Sequence, residues 1–215
     1  MLDKARYIAV EGPIGAGKTS LAKRLAEHLS AKQLFEQPQN NPFLTHFYQN
    51  PERWALPTQL SFLFQRLDQL ATLERDGAGK NPRIVSDFLL ERDPLFARIT
   101  LPSDEFALYE RIYAAMKPAS PPLPDLVIYL QAPTVALAER IHKRGIDTER
   151  RITDSYLEKV AKRYANFFFQ YEAAPLFVVD AAVLNPVDNE KDFQLLVERL
   201  GEMRSHREFF GYAGG

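Results

Sequence analysis

The strongest chemical signal in this chain is Gly12-Pro13-Ile14-Gly15-Ala16-Gly17-Lys18-Thr19. Its spacing is G-x-x-x-x-G-K-[ST], the pattern of a phosphate-binding loop. Glycines at 12, 15 and 17 let the backbone curl until successive N–H groups point inward at phosphate oxygens. A helix starting at the end of the loop would add the positive end of its dipole. Lys18 is then a point charge for the β- and γ-phosphates, and the Thr19 hydroxyl is a ligand for Mg²⁺. Residues Gly12 through Thr19 are therefore the ATP-binding candidates, Lys18 is also a catalytic one, and Mg²⁺ is the expected cofactor.

Three further groups of residues have types and spacing suited to chemistry. Gln59, Phe62 and Arg66 recur at i, i+3 and i+7, so a helix would carry them on one face. An amide that bonds in two directions beside an aromatic ring and a guanidinium is a cradle for a nucleobase. Asp87 falls just past an apolar strand, where ligands sit in open α/β sheets. A carboxylate there can take the proton of an alcohol that attacks phosphorus. Arg140 and Arg144 are i, i+4 at the end of a helical pattern, with Lys143, Arg150 and Arg151 nearby. Guanidiniums placed together stabilise the charge that spreads over a transferring phosphoryl group.

The elements that position these residues alternate. Short apolar runs over 7–10, 34–36, 83–86, 126–130 and 176–179 read as strands. Helical patterns follow at 18–29, about 57–75 (ended by Gly77 and Gly79), 103–116 (capped by Ser103), 133–144, 154–171 and 190–203. Strands alternating with helices pair in parallel through right-handed crossovers. The expected fold is α/β: a P-loop kinase fold with a doubly wound, parallel, five-stranded sheet flanked by helices, and a basic loop at about 140–152. No linker divides it, so residues 1–215 are read as a single domain.

Bulk properties narrow the function. A formal net charge of -1 makes no electrostatic case for a nucleic-acid or anionic-membrane partner. The chain has no cysteine, which removes disulfides, thiolate metal sites and cysteine nucleophiles. His28, His46, His142 and His206 have no metal-ligand spacing. Without a membrane-length apolar run or a signal-like N-terminus, the expected location is cytoplasmic. The Asn-Lys-x-Asp motif by which GTPases read their base is absent.

In several places and in order the chain resembles the deoxyribonucleoside kinase family, especially its bacterial deoxyadenosine/deoxyguanosine branch. The resemblance runs from Glu11 and the loop through Glu36, 48–54, Gln59, Arg66, Asp87, Phe96-Ala97 and 125–132 to Arg140, Arg144-Gly145 and Glu149. It implies ATP-dependent phosphorylation of the 5′-hydroxyl of a deoxyribonucleoside in nucleotide salvage. Purines are favoured, deoxyadenosine first, with deoxyguanosine or deoxycytidine also open. It implies that Gln59 grips the base, Arg66 helps to select it, and Tyr48 and Glu149 bond the sugar 3′-hydroxyl. Glu36 would contact the 5′-hydroxyl and so competes with Asp87 for the role of base. Asp87 is the first choice as base and a possible Mg²⁺ ligand; Arg140 and Arg144 become the lid. A homodimer is also implied.

The chain departs from the family pattern twice. Phe88 stands where many members have an arginine, which leaves Arg92 to orient Asp87. Ile146 stands where many have a lid arginine, which leaves that task to Arg150 or Arg151. Residues 185–188 are either a plain turn or an adenine-contacting loop, and the tail at 209–212 covers a pocket, supports a dimer or hangs free. The rival readings are a nucleoside monophosphate kinase of the thymidylate kinase type and a nucleotide-binding switch with little turnover.

Overall fold

The computed structural model describes residues 1–76 and 82–211. Among them, six parallel strands make one sheet: β1 (Tyr7–Glu11), β2 (Lys32–Leu34), β3 (Ile84–Ser86), β4 (Leu126–Gln131), β5 (Leu176–Asp180) and β6 (Arg207–Phe210). Their order is β2-β3-β1-β4-β5-β6. The sheet thus has six strands where the sequence pattern indicates five. The sixth takes in the start of the tail at 209–212, which the sequence pattern leaves without an element. Arg207 and Glu208 break its apolar pattern, yet it pairs with β5, and Phe210 packs against Phe177 with ring centroids 5.9 Å apart. Tyr212 lies outside the described residues.

Alternation along the strands builds two cores, one on each face. Ile8, Val10, Ile128, Phe177 and Val179 face α1 (Lys18–His28) and α8 (Glu190–Glu202), which contribute Leu21, Leu25, Phe193, Leu196 and Leu200. Ala9, Val127, Tyr129 and Val178 face α7 (Asp154–Phe169) through Val160, Tyr164 and Phe168. Side chains that alternate faces with period two, covered by helices on both, are what a doubly wound sheet requires.

A third core joins α3 (Pro51–Asp76), α4 (Asp93–Thr100) and α5 (Ser103–Met116) through Leu63, Leu70, Ala97, Phe106 and Tyr109, with α2 (Leu44–Gln49) alongside. Helix α3 starts at Pro51, so Pro57 lies inside it rather than in its first turn. Its ring cannot donate to the Arg53 carbonyl, and burial of Ala55 and Leu63 on either side holds the helix through that gap. Gly77 and Gly79, expected to end this helix, lie outside the described residues. Helix α5 is preceded by Pro102 as its N-cap, and Ser103 forms no side-chain cap, contrary to expectation. Helix α6 (Thr134–Arg144) ends at Gly145, whose φ of 68° permits the left-handed turn.

Register places the chemistry. Leu34 and Ala9 both pair with Ser86, so β2 and β3 end level with one another and β1 runs two residues further. Glu11 ends β1, Asp87 follows β3 directly, and Glu36 lies two residues past β2.

Candidate active site

The loop between β1 and α1 has the conformation its glycines allow. Gly12 and Gly15 have φ of 156° and 85°, and a Cβ on either would come within 2.6 Å of the Leu130 carbonyl or 2.7 Å of the Leu137 carbonyl. Lys18 Nζ donates to the Pro13 carbonyl at 3.1 Å. Burial and the neighbouring Arg92 lower the proton affinity of Lys18, against the pull of Glu11, Glu36 and Asp87. One cavity opens beside the loop between Gly15, Gly17, Arg140, Lys143 and the 185–188 segment. That segment is held from α1: Arg24 Nη1 donates to the carbonyls of Pro186 at 2.9 Å and Val187 at 3.0 Å.

A second cavity of about 360 Å³ lies on the other side of the loop. Glu36, Tyr48, Gln59, Phe62, Arg66, Asp87 and Glu149 all line it, together with Lys18 and Thr19. Gly15 and Arg144 line both cavities, so the loop and the end of α6 form the wall between them. Among the described residues, nothing hydrogen-bonds the buried Gln59 amide. Burial and the charge of Glu149 push the Tyr48 phenol up to about 12.

Two carboxylates reach the middle of this site under different constraints. Asp87 Oδ2 accepts from the Thr19 hydroxyl at 2.5 Å, and its Oδ1 accepts from the Glu36 backbone N–H at 2.8 Å. Burial and the nearby Glu36 charge raise its proton affinity. Glu36 accepts through Oε1 alone, from Arg66 Nε at 2.7 Å, Arg66 Nη2, and Arg92 Nη2 at 2.6 Å. Burial opposes its ionisation, but Arg66, Arg92 and Lys18 together hold it at about 2. Arg92 therefore grips Glu36 and not Asp87. The orienting role expected of Arg92 toward Asp87 is filled instead by Thr19 and the Glu36 backbone.

Behind them runs a buried ionic ladder. Arg92 Nε lies 3.0 Å from Glu11 Oε1, and Arg92 Nη1 donates to the Tyr164 hydroxyl at 3.0 Å. Glu11 accepts further from the N–H groups of Leu89 at 2.8 Å and Gly12 at 3.1 Å, and from the Tyr164 hydroxyl at 3.2 Å. Arg66 pairs also with Asp93, which accepts from the Tyr109 hydroxyl at 2.6 Å. Arg66 is thus committed to two acids, whatever it adds to base selection. Glu11 enters the sequence reading only as a flank of the loop, and neither it nor Asp93 nor Tyr164 was given a site role there. A charge ending an apolar strand was the available sign for Glu11; Tyr164 carried none.

The basic segment is divided in its placement. Arg144 Nη2 donates to Glu149 Oε2 at 2.5 Å, while Arg140 Nη2 donates to the Ala181 carbonyl. Arg150 is exposed and pairs with Asp147 at 3.1 Å. Arg151 lines a small separate cavity beside Tyr156. Neither of these two lines a cavity at the phosphate loop, where one of them was expected to replace the arginine missing at Ile146.

A family model described as deoxynucleoside kinase matches residues 8–203. Deoxyguanosine kinase of Bacillus subtilis (strain 168) is 31% identical over 206 residues, covering 94% of this chain and 99% of the relative. Deoxyadenosine/deoxycytidine kinase of the same organism is 29% identical over 210 residues, 94% of each. Among solved structures, deoxyadenosine kinase from M. mycoides with bound dCTP superposes with a TM-score of 0.79 at 26% identity, over 92% of this chain and 100% of that one. The same enzyme with bound dATP gives 0.78 at 27%, over 91% and 99%.

Proposed function

This chain belongs to the deoxynucleoside kinase family, and we propose that it moves the γ-phosphoryl group of ATP onto the 5′-hydroxyl of a purine deoxynucleoside, deoxyadenosine first. The observation that carries this reading is the shared wall. A phosphate loop stands between two cavities that share Gly15 and Arg144, and on the wall of the second the Thr19 hydroxyl and the Asp87 carboxylate are 2.5 Å apart.

On the donor side, the N–H groups of residues 12–19 and the Lys18 ammonium take the phosphates, Arg140 and Arg144 close over them, and the 185–188 segment flanks the adenine. Bound Mg²⁺ neutralises charge on the β- and γ-phosphates. A hydroxyl and a carboxylate are hard oxygen donors suited to that ion, so Thr19 and Asp87 would hold it. On the acceptor side, Gln59 meets the base edge, Phe62 lies against the ring, Arg66 braces the pocket, and Tyr48 and Glu149 hold the 3′-hydroxyl.

Both carboxylates can take the proton, and geometry divides the work. Asp87 is committed to Thr19 and the Glu36 N–H. Among the described residues all hydrogen bonds to the Glu36 carboxylate fall on Oε1, which leaves Oε2 for the substrate. Reach comes before basicity in choosing a base. Glu36 Oε2 therefore receives the 5′-hydroxyl hydrogen bond, although the sequence alone favours Asp87. As the 5′-oxygen bonds to the γ-phosphorus, the bond to the ADP oxygen breaks and the hydroxyl proton passes to Glu36. In a loose phosphoryl transfer, positioning and electrostatics dominate, so a weakly basic but rigid carboxylate suffices.

A monophosphate acceptor fits less well. The arginines lining the acceptor cavity are each paired with acids: Arg66 with Glu36 and Asp93, Arg92 with Glu11 and Glu36, and Arg144 with Glu149. An acceptor phosphate would have to displace one of these carboxylates. A working homodimer in the cytoplasm completes the proposal, the dimer by likeness to the family. Among the described residues no helix is long and apolar enough to cross a membrane. The deciding assay offers the four deoxynucleosides and deoxyadenosine monophosphate with ATP and Mg²⁺. Deoxyadenosine should give the highest kcat/KM. Deoxyadenosine ranking last, or the monophosphate ranking first, rejects the reading.

A further inference from the structure

Each nitrogen of Arg92 faces a group from a different part of the fold: Nη1 and Nη2 hydrogen-bond theirs, while Nε meets its carboxylate as a charge pair without hydrogen-bond geometry. Nε faces Glu11 at the end of β1, Nη1 donates to Tyr164 on α7, and Nη2 donates to Glu36 beyond β2. Its residue exposure is 3%, and that of Glu11 is 0%. Glu11 is in turn tied to the first amide of the phosphate loop, Gly12, and to Leu89, two residues past Asp87. One planar guanidinium thus joins the loop that holds the donor to the carboxylate that meets the acceptor. A guanidinium can make such a fixed multidentate bridge; a point charge cannot.

We propose that Arg92 is a positioning residue for phosphoryl transfer, setting Glu36 in register with the phosphate loop through the bridge Glu11–Arg92–Glu36. The bridge rests on the assignment of Glu36 as acceptor of the hydroxyl proton. Arg66 also holds Glu36 but ties it toward Asp93 and α5, away from the loop. Arg92 and Glu11 alone connect this carboxylate to Gly12 by side-chain contacts among the described residues. Bulk fill does not account for this arrangement. An aliphatic side chain would occupy the volume without charge, and a buried ion pair is weak evidence of a stabilising role. A misplacement of about 1 Å at a reacting group can cost roughly 10²-fold in rate, the effect the bridge would prevent.

The test compares Arg92→Gln, Arg92→Lys, Glu11→Gln and Glu36→Gln with deoxyadenosine and ATP. Arg92→Gln should lower kcat about 10²-fold while both KM values stay within about threefold, the mark of an interaction felt at the transition state. Arg92→Lys should recover part of the loss, and Glu11→Gln should lower kcat in the same direction. In the Arg92→Gln/Glu36→Gln double variant, the losses should be non-additive, the double falling no lower than Glu36→Gln alone. Should Glu36→Gln retain full kcat, the assignment of Glu36 fails whatever Arg92 does. Should Glu36→Gln be impaired while the Arg92 loss adds to it in full, the bridge fails and the assignment stands. If Arg92→Gln does not fold, Glu11→Gln/Arg92→Gln removes both buried charges and takes its place. Failure of that pair to fold, or an equal rise of KM and fall of kcat, would make Arg92 a folding residue and overturn the proposal.

Discussion

The Thr19 hydroxyl donates to Asp87 Oδ2 at 2.5 Å, so the last residue of the phosphate loop and the first residue past β3 form one unit. This pairing separates the tasks of the two site carboxylates. Asp87→Asn keeps an acceptor for Thr19 but removes the negative charge beside it. The Mg²⁺ concentration for half-maximal turnover should rise about 10-fold, the lower end of what partners of a metal site contribute. Glu36→Gln should leave that concentration within about twofold and lower kcat by roughly 10²-fold or more, as loss of a proton acceptor does. Initial-rate titrations of Mg²⁺ at fixed ATP distinguish the two. A shifted Mg²⁺ requirement in Glu36→Gln alone would reverse the assignment.

Arg144 lines both cavities and is tied to Glu149. Arg144→Ala should lower kcat about 10²-fold, as loss of one preorganised donor to a charged transition state does. The KM for the deoxynucleoside should change much less. Glu149→Gln frees Arg144 but weakens the grip on the sugar, so its effect should fall chiefly on the nucleoside KM. Steady-state kinetics on the pair checks this; equal losses of kcat and affinity in Arg144→Ala would place that residue in ground-state binding.

Much of this architecture is legible in residue patterns because it is local. The G-x-x-x-x-G-K-[ST] spacing, the apolar strand before it and the i, i+4 leucines after it specify strand, loop and helix at once. The same holds for Gln59, Phe62 and Arg66, whose helical spacing brings them to one cavity. Contacts between distant segments are not legible in this way. Glu36 receives Arg66 from α3 and Arg92 from beyond β3, separations of 30 and 56 residues. No periodicity encodes such a meeting; it follows from adjacent strands whose ends lie at one edge of the sheet. β6 escaped notice because its four residues mix charged and aromatic side chains, and pairing with β5 overrides that weak pattern. Helix α3 overran its expected start because Pro51, six residues before Pro57, already occupies a tolerated first position.

Gly15 packs the phosphate loop against α6. At φ 85°, a Cβ would strain the backbone and press on the Leu137 carbonyl of α6 at 2.7 Å, and a helix carbonyl has little room to yield. The left-handed conformation alone costs an L-residue about 1–2 kcal/mol. Gly15→Ala should lower the thermal midpoint by about 2–8 °C, using about 2–4 °C per kcal/mol for a chain of this size. Because α6 carries Arg140 and Arg144, ATP affinity should fall as well. Differential scanning fluorimetry with and without ATP reads both, and an unchanged midpoint would show that the loop can relax around the added methyl.

Gln59 gives the cleanest separation of binding from stability. Its amide lies on the cavity wall, is buried to 5% exposure and is bonded to nothing among the described residues. Replacing it with leucine removes a polar group that the empty protein leaves unpaired, so folding loses no hydrogen bond and the thermal midpoint should hold or rise slightly. The bound base, however, loses one or two neutral hydrogen bonds, about 0.5–1.5 kcal/mol each. The kcat/KM for deoxyadenosine should therefore fall about 2- to 150-fold in Gln59→Leu, with ATP affinity unchanged. A base-edge contact also predicts that the four deoxynucleosides converge in kcat/KM once the amide is gone, because the group that distinguishes their edges has been removed. If the variant keeps the wild-type ranking and rates, the base is read elsewhere in the cavity; a drop in thermal midpoint of several degrees would instead make Gln59 part of the scaffold.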